Sequence, residues 1–106
     1  MSQQYVYEPF FSSNFKNCIK KLKKQNLDIG EVFTVIALLA KDIPMPPEYR
    51  DHKLTNFKPK GSKITGDFRE CHLQGKNSDW VLVYQKRKAN MVLYLYSSGS
   101  HSNVLE

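Results

Sequence analysis

Three histidines, one arginine and one Asp-Trp pair are the side chains of this sequence best suited to catalysis. They are His52, His72, His101, Arg69, Asp79 and Trp80. Histidine can act as a general acid or base near neutral pH because its unperturbed pKa is roughly 6.5. A nearby arginine can stabilise the charge that develops on phosphate oxygens. These residue types therefore suit metal-independent RNA cleavage, in which the ribose 2′-OH attacks the adjacent phosphate.

Both His52 and His72 also have a plain structural explanation. His52 follows an aspartate in a polar stretch, where the carboxylate could fix its tautomer, but a histidine in a loop is often incidental. His72 belongs to a predicted strand in which alternation puts Phe68, Glu70 and His72 on one face and Arg69 on the other. That face is either a solvent-facing sheet surface or a catalytic one. A β-bulge would be needed to bring Arg69 beside His72.

Asp79 and Trp80 open the strand that follows. Asp79 could simply end the preceding loop, and Trp80 could be a core residue or could stack on an unpaired base. His101 lies in a glycine- and serine-rich segment that gives it no packing role. Its surroundings make His101 the strongest of the three histidines as a candidate for catalysis.

The composition indicates a small basic domain. Sixteen Lys and Arg against ten Asp and Glu give the 106 residues a net charge of +6, and this length predicts one domain, residues 1–106. The charge suits a polyanion such as RNA, although an acidic protein partner fits equally well. Residues 48–66 read as a long basic loop that either contacts RNA or faces solvent. The lysines we assign there to RNA binding are Lys58, Lys60 and Lys63.

No stretch of the sequence predicts a membrane span or a signal peptide, so we expect a cytoplasmic protein. Cys18 and Cys71 are isolated, and no Cys/His pattern has the spacing of a metal site. We therefore expect reduced cysteines, no bound metal and no cofactor.

The order of the predicted elements is β-α-α-β-β-β with a short C-terminal tail or helix. We expect a first strand at Tyr5–Tyr7, then two amphipathic helices, of which the first begins at Ser12 or Ser13. The three later strands are expected at about 67–74, 80–86 and 91–97. This predicts an α+β fold with two N-terminal helices packed on a small, mainly antiparallel sheet.

Four short motifs occur in the order found in one known family. They are residues 49–54 (YRDHKL), 68–72 (FRECH), 79–84 (DWVLVY) and 99–101 (GSH). With them the sequence resembles the YafQ branch of the RelE/ParE superfamily, the ribosome-dependent mRNA interferase toxins of bacterial type II toxin–antitoxin pairs. The resemblance covers nearly the whole chain and implies the RelE-like fold.

The resemblance implies an endoribonuclease that cleaves mRNA in the ribosomal A site and inhibits translation. It also implies a cognate DinJ-type antitoxin as partner, DNA contact only through that antitoxin, and no membrane partner. Arg69 matches a basic position near the scissile phosphate, and Trp80 matches an aromatic residue beside the site. The positions that match the family's acid–base and active-site residues are His52, His72, Asp79 and His101. We take His72 and His101 as the pair that handles protons and leave open which is acid and which is base.

Two departures from the family pattern leave an alternative open. Leu105 stands where the family usually has an aromatic residue, and the loops Thr55–Gly66 and Leu73–Ser78 are longer than usual. The alternative is a non-catalytic member of the fold that binds the ribosome or the antitoxin without cutting. A DNA-binding regulator is poorly supported because no helix-turn-helix or ribbon-helix-helix pattern is present.

Overall fold

A computed structural model describes residues 5–25, 29–55, 57, 66–73 and 80–100. Its elements in chain order are strand β1 (Glu8–Phe11), helices α1 (Ser13–Lys24) and α2 (Ile29–Ala40), a 3-10 turn (Pro47–Tyr49), and strands β2 (His52–Lys53), β3 (Arg69–His72), β4 (Trp80–Arg87) and β5 (Val92–Ser100). No helix within these ranges is long and apolar enough to cross a membrane.

The five strands form one sheet in the order β1-β5-β4-β3-β2. The first strand pairs parallel with β5, and every other neighbouring pair is antiparallel. One irregularity in the β4–β5 register, at Val83/Tyr84, interrupts otherwise continuous pairing. The sheet is therefore mainly antiparallel, with β5 in its interior beside the edge strand β1.

Both helices pack on the same face of this sheet because each presents one apolar face to it. The hydroxyl of Ser12 caps α1 by accepting a hydrogen bond from the Phe15 amide at 3.0 Å. The buried side chains between helices and sheet are Phe15, Ile19, Leu22, Val32, Val35, Ile36, Leu39, Cys71, Leu73, Trp80, Leu82, Tyr84, Leu93 and Leu95.

The opposite face of the sheet carries a smaller apolar cluster and is called the open face below. Its buried members are Phe68, Val81 and Val83, and no helical residue of the described part of the chain belongs to it. Partly buried side chains pack around this cluster, namely Leu54, Phe57, Tyr94 and Tyr96. The open face is thus the face of the sheet on which the described residues place no helix.

The α+β prediction is confirmed, and several details differ from it. Strand β3 is shorter than the predicted 67–74, and β5 runs three residues past the predicted end at 97. The first strand begins at Glu8, because the amides of Val6 and Tyr7 both donate to the Ala40 carbonyl at the end of α2, each at 2.8 Å. Pro9 is tolerated within β1 because an edge strand does not need every amide donor. The sequence also missed β2, whose two residues lie in the stretch predicted to be irregular.

Candidate active site

Two short strands at one side of the sheet bring His52, Glu70 and His72 together on the open face. Glu70 and His72 point the same way because side chains alternate along β3, and β2 pairs His52 directly with Glu70. Across the β3–β4 pair, Glu70 lies opposite Val83 and His72 lies opposite Val81. The polar group therefore borders the buried valines of the open face.

Glu70 lies at the centre of this group. Its Oε1 atom is 3.4 Å from Nε2 of His52 and 3.4 Å from Nε2 of His72. The two imidazole rings stack with their centroids 5.8 Å apart and their planes 26° apart. The side chain of Glu70 is fully buried, that of His72 is 14% exposed and that of His52 is 48% exposed. The imidazoles are therefore the accessible part of this group, and the Glu70 carboxylate lies buried behind them.

Arg50 contacts both imidazoles and constrains where their protons lie. Its backbone carbonyl is 2.8 Å from Nδ1 of His52, and since a carbonyl only accepts, that nitrogen donates. The guanidinium Nη2 of Arg50 donates to Nδ1 of His72 at 3.2 Å, so the proton of a neutral His72 lies on Nε2, facing Glu70. Nε2 of His52 likewise faces the Glu70 carboxylate. Imidazoles in this arrangement can hold and transfer protons.

The backbone of Arg50 explains how one residue serves both histidines. Arg50 ends the 3-10 turn, donating its amide to the Pro47 carbonyl at 3.0 Å, and has a left-handed backbone with φ of 46°. Residues with a side chain adopt this region uncommonly, and such conformations cluster at functional sites. The turn directs the Arg50 carbonyl and side chain toward different imidazoles.

The structure places Arg69 against Asp51 and not beside His72, so its position near the scissile phosphate stays a prediction. Nε and Nη2 of Arg69 are each 3.4 Å from the Asp51 carboxylate, which also accepts from the Tyr84 hydroxyl at 2.5 Å. The β3–β4 register has no bulge, so alternation keeps Arg69 on the face away from His72. Burial opposes the charge of Arg69, but the hydrogen bond and attraction to Asp51 outweigh it and raise its pKa. Burial, and then the bond to Asp51, raises the pKa of Tyr84.

Trp80 is a core residue, so the prediction that it stacks on an RNA base is wrong. The residue is 5% exposed and belongs to the cluster beneath the helices. Its Nε1 donates to Oγ of Ser98 at 2.9 Å, and that hydroxyl donates to the Val81 carbonyl at 2.9 Å. The buried indole has its polar atom satisfied within the protein and offers no ring face to a ligand.

Five predicted site residues lie outside the residues that the structure describes. They are Asp79, His101, Lys58, Lys60 and Lys63. Their assignments remain predictions. The predicted residues that the structure does bring together are His52 and His72.

Two residues of the cluster, Glu70 and Arg50, were not among the predicted site residues. Strand alternation had already placed Glu70 on the face of His72, and a carboxylate there was a usable signal. Arg50 could not be found in this way, because its role depends on a left-handed turn and on contacts across 22 residues of sequence.

The ligand atoms of His52, Glu70 and His72 could also hold a metal ion. One atom from each residue lies within 4.8 Å of the other two. Two imidazoles and one carboxylate are a donor set typical of Zn²⁺ sites. The sequence offered no local spacing for such a site because the three ligands come from two separate strands.

Comparisons with known proteins agree with the motifs. Residues 7–106 match the model of a family described as bacterial toxin of type II toxin–antitoxin system, YafQ. A Haemophilus influenzae protein described as a candidate YafQ toxin is 34% identical over 88 residues, or 80% of this chain and 76% of that protein. A metal-bound toxin from Helicobacter pylori is 38% identical with a TM-score of 0.75, covering 92% of this chain and 97% of that chain. YafQ in the Escherichia coli DinJ–YafQ complex shares the fold, with 22% identity, a TM-score of 0.74, and coverage of 95% of this chain and 99% of that one.

Both the architecture and the family model point to one class of protein. The sheet with two N-terminal helices on one face superimposes on both solved structures over more than nine-tenths of the chain. The chain belongs to the YafQ family of bacterial toxins of type II toxin–antitoxin systems. The relationship predicted from the four motifs is confirmed.

Proposed function

We propose that this toxin is a ribosome-dependent endoribonuclease that cleaves mRNA in the ribosomal A site and so inhibits translation. The observation that carries the proposal is the His52–Glu70–His72 cluster on the open face, with Arg50 against His72. Imidazoles on a reachable surface, backed by a buried carboxylate, are the arrangement that proton transfer needs.

In the proposed reaction the ribose 2′-OH loses its proton and its oxygen bonds to the adjacent phosphorus. The bond to the 5′-oxygen breaks as that oxygen gains a proton, leaving a 2′,3′-cyclic phosphate and a 5′-hydroxyl. We assign the proton transfers to His72 and His101, with His52 and Asp79 as further residues of the site. Support for including His101 comes from the register, because Val81 pairs with His72 on one side and Gly99 on the other. Glu70 is a positioning residue that orients both imidazoles.

We propose Arg50 for the phosphate-stabilising role that the family resemblance implied for Arg69. The guanidinium of Arg50 lies at the histidine cluster, whereas that of Arg69 is bound to Asp51. Arginine suits a pentavalent phosphate because its charge-assisted hydrogen bonds strengthen as negative charge develops. Arg50 would therefore stabilise the phosphate next to His72.

A cognate antitoxin of the DinJ type is the proposed protein partner, and DNA would be contacted through it. The support is the shared fold with Escherichia coli YafQ, whose structure is known in complex with DinJ. The proposal takes residues 1–106 as one toxin domain acting on ribosomes in the cytoplasm.

Cleavage of mRNA in a purified translation system tests the function. We expect wild-type protein to cut in register with codons and only when ribosomes are present. His72→Gln should lower the cleavage rate by at least about 100-fold, the usual contribution of a general acid or base. Asn17→Ala, an exposed change on α1, is the control and should cut normally. Intact mRNA with a folded wild-type protein would instead indicate a non-catalytic ribosome or antitoxin binder.

A second role, an inhibitory metal site, is favoured by the three convergent ligand atoms. The similar Helicobacter pylori toxin has a structure in metal-bound form. An ion held by His52, Glu70 and His72 would occupy the nitrogen atoms that face Glu70 and so withdraw them from proton transfer. The ion supplies no step in the cleavage proposed above.

We expect Zn²⁺ to inhibit the cleavage reaction and a chelator to restore it. Calorimetry should show one Zn²⁺ bound per chain, at least about 10-fold more weakly in His52→Gln, since this variant loses one ligand. Zn²⁺ that leaves cleavage unchanged, or that binds wild type and His52→Gln equally, would exclude this site.

A further inference from the structure

A three-layer stack stands on the sheet away from the histidine cluster. The ring of Tyr94 on β5 stacks on Phe10 of β1, with centroids 5.6 Å apart and planes 12° apart. The guanidinium carbon of Arg87 on β4 lies 4.5 Å from the Tyr94 ring centroid. Because β5 lies between β1 and β4, the layers follow one another as Arg87, Tyr94 and Phe10.

The inner end of the stack is anchored and its outer end is exposed. Nε of Arg87 donates to Oε1 of the buried Gln85 at 2.8 Å, which fixes the guanidinium over Tyr94. Phe10 at the other end is 55% exposed, although phenylalanine is among the residues most often fully buried. It stands on β1, an edge strand of the sheet, so its outer side meets no further strand.

The stack shares the open face with the histidine cluster. Tyr94 pairs with Gln85, which is two residues along β4 from Val83, the partner of Glu70. Phe10 pairs with Tyr94, so three strand spacings of about 4.8 Å and two residues of about 3.3 Å put Phe10 roughly 16 Å from Glu70. A strand of RNA lying across the open face can therefore contact both.

We propose that Phe10 stacks on an unpaired base of the mRNA strand that the histidine cluster cuts. This inference rests on the proposed function and extends it to the recognition of a flanking nucleotide. A rigid aromatic face backed by a guanidinium is the chemistry that binds single-stranded nucleic acid, because every base has a π-face and Arg87 adds positive charge. The net charge of +6 favours RNA over a neutral peptide for this surface.

Two substitutions at position 10 and one control test the stack in the ribosomal cleavage assay. Phe10→Leu keeps an apolar side chain but removes the π-face, and it should lower the cleavage rate at limiting protein by about 5- to 150-fold. Phe10→Trp should restore it. Phe33→Leu removes another exposed ring, 43% exposed on α2, and should cut like wild type. Melting temperatures near the wild-type value would show that each variant is folded.

Abasic nucleotides identify which strand supplies the base. A series of mRNAs, each lacking one base near the cut, is cleaved by wild type and by Phe10→Leu. At one position the missing base should lower the wild-type cleavage rate by about 5- to 150-fold, and at that position it should not lower the rate of Phe10→Leu further. If Phe10→Leu cleaves more slowly but no missing mRNA base slows wild type, the stacked base belongs to ribosomal RNA and the assignment to mRNA is overturned. If Phe10→Leu binds the antitoxin more weakly but cleaves normally, Phe10 contacts a protein partner and the assignment to mRNA is also overturned.

Binding of a non-cleavable 2′-O-methyl mRNA on ribosomes separates this inference from the proposed function. If wild type and Phe10→Leu bind this mRNA with equal affinity while wild type cuts normal mRNA, the stacking of Phe10 on a base is rejected and the ribonuclease proposal is kept. If wild type cuts no mRNA but binds it more tightly than Phe10→Leu does, the ribonuclease proposal is rejected and the stacking of Phe10 is kept. A new fluorescence change in Phe10→Trp on binding would report the contact directly.

Discussion

Glu70→Gln should lower the rate of mRNA cleavage by at least about 100-fold without unfolding the protein. Glutamine has the same length and shape, so the fully buried site stays filled. It cannot take a proton from His52 or His72, and its neutral amide no longer stabilises either imidazolium. Because the Glu70 side chain is fully buried, we expect the loss to arise through the two histidines beside it.

Three measurements separate this positioning role from a structural one. The melting temperature of Glu70→Gln should lie within about 5 °C of the wild-type value, a change of roughly 1 kcal/mol for a domain of this size. The affinity for a non-cleavable 2′-O-methyl mRNA on ribosomes should stay at the wild-type value while the cleavage rate falls, because the fully buried Glu70 acts through the histidines. Glu48→Gln, an exposed acid on the 3-10 turn, is the matched control. Wild-type cleavage by Glu70→Gln would remove Glu70 from the mechanism.

Trp80→Ala is expected to lower the free energy of unfolding by about 3–5 kcal/mol. The substitution empties a large volume beneath the helices and leaves the Ser98 hydroxyl without its donor. Urea denaturation of the isolated toxin measures the change. The loss is a large part of the stability of a small domain, so toxicity should fall through the amount of folded protein.

Trp80→Phe keeps the comparison interpretable if the alanine variant fails to accumulate. Phenylalanine retains most of the buried area and loses the Nε1 hydrogen bond, so it should remain folded and cleave at nearly the wild-type rate per folded molecule. If Trp80→Phe had unchanged stability but strongly reduced affinity for RNA, the indole of Trp80 would contact RNA.

Much of the fold could be predicted because its patterns are local. Helix α1 is predictable from the Ser12 cap and from the helical spacing of Phe15, Ile19 and Leu22. The structure buries these three apolar side chains. Strands β4 and β5 are readable as apolar runs separated by a polar turn. Strand β2 could not be predicted from its own two residues, because it exists through pairing with β3.

Less of the site could be predicted, because its groups meet through turns and pairing across the chain. His72 was identifiable from alternation, and Glu70 was identifiable on the same evidence. Arg50 and Arg69 could not be distinguished, since both are arginines beside a histidine motif. Their roles separate once Asp51 binds Arg69 on one face and the left-handed turn sends Arg50 to the other.

The position of β5 also sets when this toxin can become active during its own synthesis. The last strand to be made lies between β1 and β4, and it supplies Leu93 and Leu95 to the core. Until residues 92–100 are available, β1 has no strand to pair with and the helices have no complete sheet to cover. Chains interrupted before Val92 should therefore fail to form the sheet and should be inactive.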